Sequence, residues 1–255
     1  MDNEPGTSGV RSVRRTLDIL SLLTEDQPIV PLRDIVEATG LPKTTVVRLV
    51  QTLEQSGLLW ATSAGYTAGP GLWRWAHLAH RSWDLPPETR KLIRLLAERR
   101  GETVNVMIRR DIHRVCVAQA ESPHPLRHVV RVGDELPLWA GASSKVLLGD
   151  ASDTLLQRVA RDSPHGAGEV DRLRQTAEEA TRQGWAISRG ERDTDLTAVA
   201  VPILGRSGSM IASLSLSGPT TRIPDSVVEE FAEDLREVAA QVMGHGFPSA
   251  LAEGS

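Results

Sequence analysis

The spacing of apolar positions changes along the chain, and the changes divide it. Through the first third, apolar residues recur three and four apart, the signature of helices with one buried stripe. Val13, Leu17 and Leu20, running on to Leu23 and Thr24 with Ile19 beside them, predict a first helix. Leu32, Ile35, Val36 and Ala38 predict a short second one, stopped by Gly40 at a position that favours a left-handed residue. In LPKTTVVRLVQTL (41–53), Val46, Leu49, Val50 and Leu53 form one stripe, and Pro42 suits the first turn, where a missing N–H costs nothing. Ser56-Gly57 ends that run. Leu58-Leu59-Trp60 and Tyr66-Thr67-Ala68 then flank the turn-forming Thr62-Ser63-Ala64-Gly65, which predicts a β-hairpin. Helix, short helix, glycine turn, helix and hairpin in that order predict a winged helix-turn-helix.

The pattern beyond the hairpin is different. Leu72, Trp75, Leu78 and Ala79 predict a helix over 71–84, between Gly69-Pro70-Gly71 and Leu85-Pro86-Pro87. Residues 87–100 predict another, ended by Gly101. Three strand-like runs follow, ETVNVMIRR, HRVCVAQAE and LRHVVRV, then a turn, a loop and a short helix in GDELPLWAGASSKVLLGD. Helices are predicted at 152–161 and 168–183, strands at Trp185–Ser188, Leu196–Leu204 and Met210–Ser217, and a long helix at Pro224–Gly244. Helices flanking an antiparallel sheet make this part α+β.

The polar side of the 41–53 helix carries the chemistry. Thr44, Arg48 and Gln51 lie opposite the apolar stripe, with Lys43 and Thr45 in the first turn. Those residue types reach phosphates and base edges in a major groove, although an ordinary amphipathic surface helix has a polar face too. Charge restricts the reading. Residues 1–84 hold eight Lys/Arg and nine Asp/Glu, so this part is net −1 within a chain of net −4. A non-specific nucleic-acid coat is excluded. Binding has to rest on local clusters: Arg11, Arg14 and Arg15 around the first helix, Lys43 and Arg48 on the third.

Composition places the chain among ordinary globular proteins, with 255 residues, 40% hydrophobic and 24% charged, enough to bury a core in one or two domains. No apolar run approaches the ~18 residues of a membrane span. MDNEPGTSG lacks a signal-peptide apolar region, so a cytoplasmic protein is expected. Cys116 is the single cysteine, sits in the apolar run VCVAQA and reads as a buried structural thiol rather than a nucleophile. His77 and His80, three apart, could ligate a metal but have no third ligand nearby; a solvated face is the simpler reading, and neither metal nor cofactor is expected. Glu191 and Asp193 near Arg189 and Arg192, and Ser144 beside Lys145, could form acid/base or Ser/Lys pairs. With no nucleophile elbow, zinc-protease motif, phosphate loop or dinucleotide fingerprint, no catalytic residue is expected.

TGLPKTTVVRLVQTLEQSGLL, GETVNV, PLWAGASSKVLL, GWAISRGERDTDLTAVAVPI and SLSLSGP carry a resemblance to the IclR family of bacterial transcriptional regulators, over about residues 11–245. The resemblance implies a winged helix-turn-helix at 11–69, a linker helix at 70–84 and an effector-binding domain of GAF-like α/β topology at 85–246, with disordered tails at 1–10 and 247–255. It implies dimers or dimers of dimers on double-stranded operator DNA, paired through the linker and first helices, and repression more often than activation. Contacts to DNA are expected from Arg11, Arg14, Arg15, Lys43, Thr44, Thr45 and Arg48, with Tyr66 in the wing.

The resemblance also implies a pocket for a small organic effector, built from Trp139, Gly141, Ala142, Ser143, Ser188, Glu191, Ala198, Ser215 and Ser217. The residues allow it, since Ser143 and Ser144 stand at a helix start and Ser215 and Ser217 share one strand face. A helix cap and a partly exposed strand face would look the same. Ser144 stands where the family carries Gly, Trp139 for a frequent His, Asp195 for Gly and Ala198 for Cys. These departures point away from a small keto acid and toward a bulkier or partly aromatic ligand; beyond that, the effector is expected to be small, organic and acidic or aromatic. The alternative is an enzyme or a stand-alone small-molecule sensor using the C-terminal domain.

Overall fold

In the computed structural model, which describes residues 10–205, 208–245 and 247, the chain divides into two compact units, Met1–Arg81 and Ser82–Ser255. The tails expected at 1–10 and 247–255 fall, apart from Val10 and Phe247, outside the described residues.

The first unit contains α1 (Arg11–Leu20), β1 (Ile29–Val30), α2 (Leu32–Thr39), α3 (Lys43–Gln55), β2 (Leu59–Thr62) and β3 (Gly65–Ala68). Its core takes Ile19 from α1, Val30 from β1, Ile35 from α2, Val46, Val50 and Leu53 from α3, and Leu59 from β2. Gly40 closes α2 with φ 62°, its N–H reaching Val36 O at 3.0 Å. The hairpin β2–β3 forms as expected, and β1 adds to its open edge to give the order β1-β3-β2. At Gly65 a Cβ would stand 2.6 Å from Val30 O, so this crossing of backbones requires glycine.

One expectation for this unit is corrected. Val13 and Leu17, predicted to face inward on α1, are 54% and 56% exposed. The inward arc is Arg15, Thr16, Ile19 and Leu20, because the helix stops at Leu20 and the chain turns through Leu22 and Leu23. Leu23 therefore never extends the predicted stripe. The next helix, α4 (Leu72–Trp83), buries none of its residues.

The second unit is a six-stranded antiparallel sheet with helices on both faces. After α5 (Pro87–Arg100) come β4 (Thr103–Arg110), β5 (His113–Ala120), β6 (Glu135–Pro137), α6 (Ala142–Leu147), α7 (Asp153–Asp162) and α8 (Val170–Gln183). Then follow β7 (Ala186–Arg189), β8 (Leu196–Leu204), β9 (Met210–Pro219) and α9 (Asp225–His245), and the sheet order is β6-β5-β4-β9-β8-β7. Strand alternation divides the two faces. Val104, Val106, Val199, Val201, Leu214 and Leu216 share one face and pack with Ile93 and Leu96 of α5 and Phe231 and Leu235 of α9. On the other face, Asn105 is paired with Ser215, and Ser217 with Ala198, which is paired in turn with Ser188. Toward β5 that face becomes apolar again: Met107 and Cys116 pack with Leu138, Leu147, Leu156 and Leu173 from the helical layer. Burial pushes the Cys116 thiol up to about 12, which fits the structural reading of this residue.

LRHVVRV is not a strand. Residues 126–132 run irregularly, with Leu126 and Val132 72% and 64% exposed. The edge of β5 that they would occupy is already taken, since Cys116 exchanges backbone hydrogen bonds with Gly133 and Asp134 and β6 pairs just beyond. Alternation supplied a strand pattern, but the edge of β5 from His113 to Cys116 was already paired.

Candidate functional site

The first candidate surface is the outer side of α3. With Val46, Val50 and Leu53 turned inward, Lys43, Thr44, Arg48 and Gln51 are exposed on the opposite side. Among the described residues, the side chains of Lys43, Thr44 and Arg48 make no ion pair or hydrogen bond. Arg11 and Arg14 on α1 are likewise exposed, whereas Arg15 lies on the half-buried arc. Thr45 is half-buried beside Val46, and Tyr66 packs against the core cluster, so the exposed tip of the wing is Ser63-Ala64. The surface therefore offers unpaired cations and hydroxyls on a rigid helix, the chemistry of phosphate and base-edge contacts.

The second candidate is a cavity of about 480 Å³, counted with its open mouth, on the polar face of the sheet in the second unit. Gly141, Ala142 and Ser143 reach it from the start of α6, Ser188 from β7, Glu191 from the loop after it, Ala198 from β8, and Ser215 and Ser217 from β9. Trp139 does not reach it. It is half-buried in the apolar cluster around Leu138 and Leu147, and its carbonyl accepts from Arg172. Leu138 and Ala140 on either side are buried, and none of the three lines the cavity.

Several cavity residues escaped the sequence reading. Asn105 and Arg114 stand on β4 and β5 and His128 on the irregular segment; Arg192 and Asp193, weighed from sequence only as part of an acid/base group, line the cavity from the loop beside Glu191. Two of these carried a signal. Asn105 sits in the alternation TVNV as the serines do in SLSLS, and Arg114 occupies the same alternating set as buried Cys116. His128 gave none, because nothing local says where an irregular segment folds.

The polar groups here are heavily committed. Glu191 accepts from Gly141 N–H at 2.9 Å and from Lys145 Nζ at 2.5 Å, while Nζ also donates to Ile187 O at 2.7 Å. Ser144 Oγ donates to Ala140 O at 2.8 Å and accepts from Arg114. Lys145 is thus spent on Glu191, and the Ser/Lys arrangement considered from sequence does not form. At His128, the tautomer follows from its neighbours. Arg192 can only donate, so its 3.1 Å contact makes Nε2 the acceptor; Nδ1 then carries the proton and donates to Ser217 Oγ at 3.1 Å. Burial, and after it the charge of Arg192, pulls His128 down to about 4, so the ring is neutral at pH 7. Arg114 is pulled down to about 9, again mainly by burial, and stays protonated.

A winged helix-turn-helix with a free polar helix face, joined to an α/β domain holding a solvent-open polar cavity, is the build of a one-component, ligand-responsive transcriptional regulator. The family comparisons agree in both units. Residues 12–60 match the IclR helix-turn-helix domain and residues 77–243 match the bacterial transcriptional regulator IclR C-terminal domain. The chain belongs to the IclR family of bacterial transcriptional regulators. Transcriptional repressor IclR of Escherichia coli is 27% identical over 93% of this chain and 90% of its own. A crystal structure of an IclR-family regulator from Rhodococcus sp. is 39% identical, covers 98% of this chain and 99% of that one, and superposes with a TM-score of 0.65. An IclR homologue from Microbacterium hydrocarbonoxydans, solved with 4-hydroxybenzoate, shares the fold at 23% identity and TM-score 0.70, over 92% of this chain and 98% of that one.

Proposed function

We propose that this regulator is a cytoplasmic repressor that binds a palindromic operator as a dimer, or a dimer of dimers, and changes its grip when a small organic molecule fills the C-terminal cavity. The observation that carries the reading is the unpaired polar face of α3, where Lys43, Thr44 and Arg48 stand free on a helix whose other side is fully packed. Residues 11–69 serve as the DNA reader, 70–84 as the linker and 85–246 as the effector domain. Arg48, Thr44 and Thr45 contact base edges or phosphates, Lys43 and the Arg11, Arg14 and Arg15 cluster contact phosphates, and the wing approaches the flanking groove.

Exposed apolar residues support self-association: Val10 with Val13 and Leu17 of α1, and on α4 Trp75 with Leu78 on one side and Trp73 on another. A lone monomer would leave them in water. Repression is favoured because curated relatives include repressors, the E. coli protein and the acetate operon repressor of Salmonella typhimurium among them. An acidic or aromatic effector is in keeping with the arginines of the cavity and with the ligand of the Microbacterium homologue. No helix among the described residues is long and apolar enough to cross a membrane.

The test is selection of duplexes from a random library by the full chain. Enrichment of a two-fold symmetric sequence, and a shift in its affinity by a bound small molecule of about five- to 150-fold, is the expected result. Enrichment of no sequence overturns the reading.

A further inference from the structure

Four charged side chains line the cavity, and three are matched. Glu191 pairs with Lys145, and Arg192 pairs with Asp193 at 2.8 Å. Arg114 is the fourth. Only 6% exposed, it donates from Nη1 to the carbonyls of Pro137 and Ala140 and to Ser144 Oγ, all neutral oxygens. Its buried Nε has no partner. Glu191 is near enough to favour its charge, but both carboxylate oxygens are already held by Gly141 and Lys145, and Arg192 opposes it. A guanidinium held out of water without a counter-ion is a costly arrangement to keep. A fold that keeps one at a cavity wall has left room for a negative charge.

A second group in the same cavity is unfinished. Asn105 is 2% exposed; its Nδ2 donates to Ser217 Oγ at 3.2 Å, and its Oδ1 has no partner. Ser217 Oγ already accepts from His128 and Asn105, so its remaining capacity is to donate. A cation would be repelled by Arg114, and an uncharged ligand would leave it uncompensated. A hydroxyl both donates and accepts, so it satisfies the open end of the Asn105 amide whichever way that amide is turned.

We propose that the cavity binds a small hydroxy-carboxylate, with Arg114 as the residue that selects the carboxylate and Asn105 the residue that selects the hydroxyl. The proposal rests on the reading of this cavity as the effector site and narrows that reading to one chemical class. It makes Arg114 a specificity residue on β5, outside the segments that carry the family resemblance. The ligand's charge replaces the missing counter-ion, and bound acid and buried guanidinium stabilise one another.

The test is calorimetric titration of the full chain with two matched series: lactate, lactamide and propionate; and 4-hydroxybenzoate, 4-hydroxybenzamide and benzoate. In the series whose size fits, the hydroxy-acid binds tightest. The amide, which keeps shape and loses charge, binds roughly ten- to hundredfold more weakly, as expected for losing a hydrogen bond to a charged partner. The acid lacking the hydroxyl is weaker by several-fold. Arg114→Met removes the preference for acid over amide, and Arg114→Lys retains part of it. Should the Met variant not fold, the wild-type series still decides. An amide within twofold of its acid, or no hydroxy-acid binding in either series, overturns the proposal. A deoxy acid as tight as its hydroxy parent overturns the Asn105 part. Titration of a selected duplex in parallel keeps the two ideas apart. Sequence-selective DNA binding with no acid preference leaves the regulator standing without this ligand class. Acid binding with no sequence-selective DNA binding does the reverse.

Discussion

Arg48→Ala is the sharpest test of the α3 surface, because the structure separates its effect on binding from its effect on folding. The Arg48 side chain is exposed and unpaired, and its backbone contacts, the helix bonds and the carbonyl's acceptance from Thr52 Oγ1 at 2.9 Å, are ones that alanine preserves. Alanine is also the better helix former, so stability should change by no more than about 0.5 kcal/mol. A bidentate arginine contact to a base is worth about 1–3 kcal/mol of discrimination. A two-fold symmetric dimer uses it twice, so the loss on a selected duplex is about 2–6 kcal/mol, or roughly 30-fold to more than 10⁴-fold in Kd. Fluorescence anisotropy at fixed salt measures this, with thermal unfolding alongside. Lys43→Ala is the control, since removing one phosphate anchor from each half-site weakens all sequences alike and lowers the salt slope by about one per site. An Arg48→Ala protein that binds the selected duplex within threefold, with its sequence preference intact, refutes the assignment of α3 as the reading helix.

Three further outcomes follow from the geometry. His128 titrates near 4 when folded and near 6.5 when unfolded, so the unfolded chain holds more protons between those values and stability falls as pH drops through that window. The loss reaches about 2 kcal/mol between pH 7 and 5, and His128→Gln should flatten that part of the curve in denaturant titrations at stepped pH. At Gly65 the added Cβ of Gly65→Ala meets Val30 O at 2.6 Å and Pro31 N at 2.8 Å, backbone atoms that cannot move without breaking the β1–β3 pairing. A cost on the order of 1–3 kcal/mol and weaker DNA binding are expected, whereas Gly133→Ala, with φ 96° but open space around it, pays only the conformational part. Trp139→Ala removes packing from the cluster around Leu138 but nothing from the cavity, so calorimetry should show lowered stability with ligand affinity unchanged.

The DNA-binding unit was largely legible because its information is local. Helix period, the left-handed glycine at position 40 and the four-residue turn before Tyr66 each act within a few residues, and each forms the predicted feature. What failed was a choice between faces. On α1 the predicted stripe of Val13 and Leu17 and the observed inward arc around Ile19 both look acceptable from sequence, and only packing against α2 and α3 decides between them. The segment 126–132 failed for a related reason. A strand needs an open edge, and whether Gly133 and Asp134 have already occupied β5 is a fact about the fold and not about the segment.

The cavity shows the same division more strongly. Its walls were legible where small polar residues alternate along one strand, as in SLSLS, or cluster at a helix start, as in Gly141-Ala142-Ser143. Its charge balance was not. Arg114, His128 and Arg192 come from a strand, an irregular segment and a loop, and only Arg192 has its partner, Asp193, beside it in sequence. Net charge over the chain, or over one motif, says nothing about which side chains cancel. Only when Lys145 is seen to hold Glu191, and Asp193 to hold Arg192, does one guanidinium of the cavity, that of Arg114, remain without a counter-ion. On the hydroxy-carboxylate proposal, the ligand chemistry of this cavity is set by a remainder: the charge left over after the internal pairs have formed. On that reasoning Asp193→Asn, which frees Arg192 of its counter-ion, raises the cavity's preference for acids over their amides, and calorimetry with the same matched acid and amide series checks it.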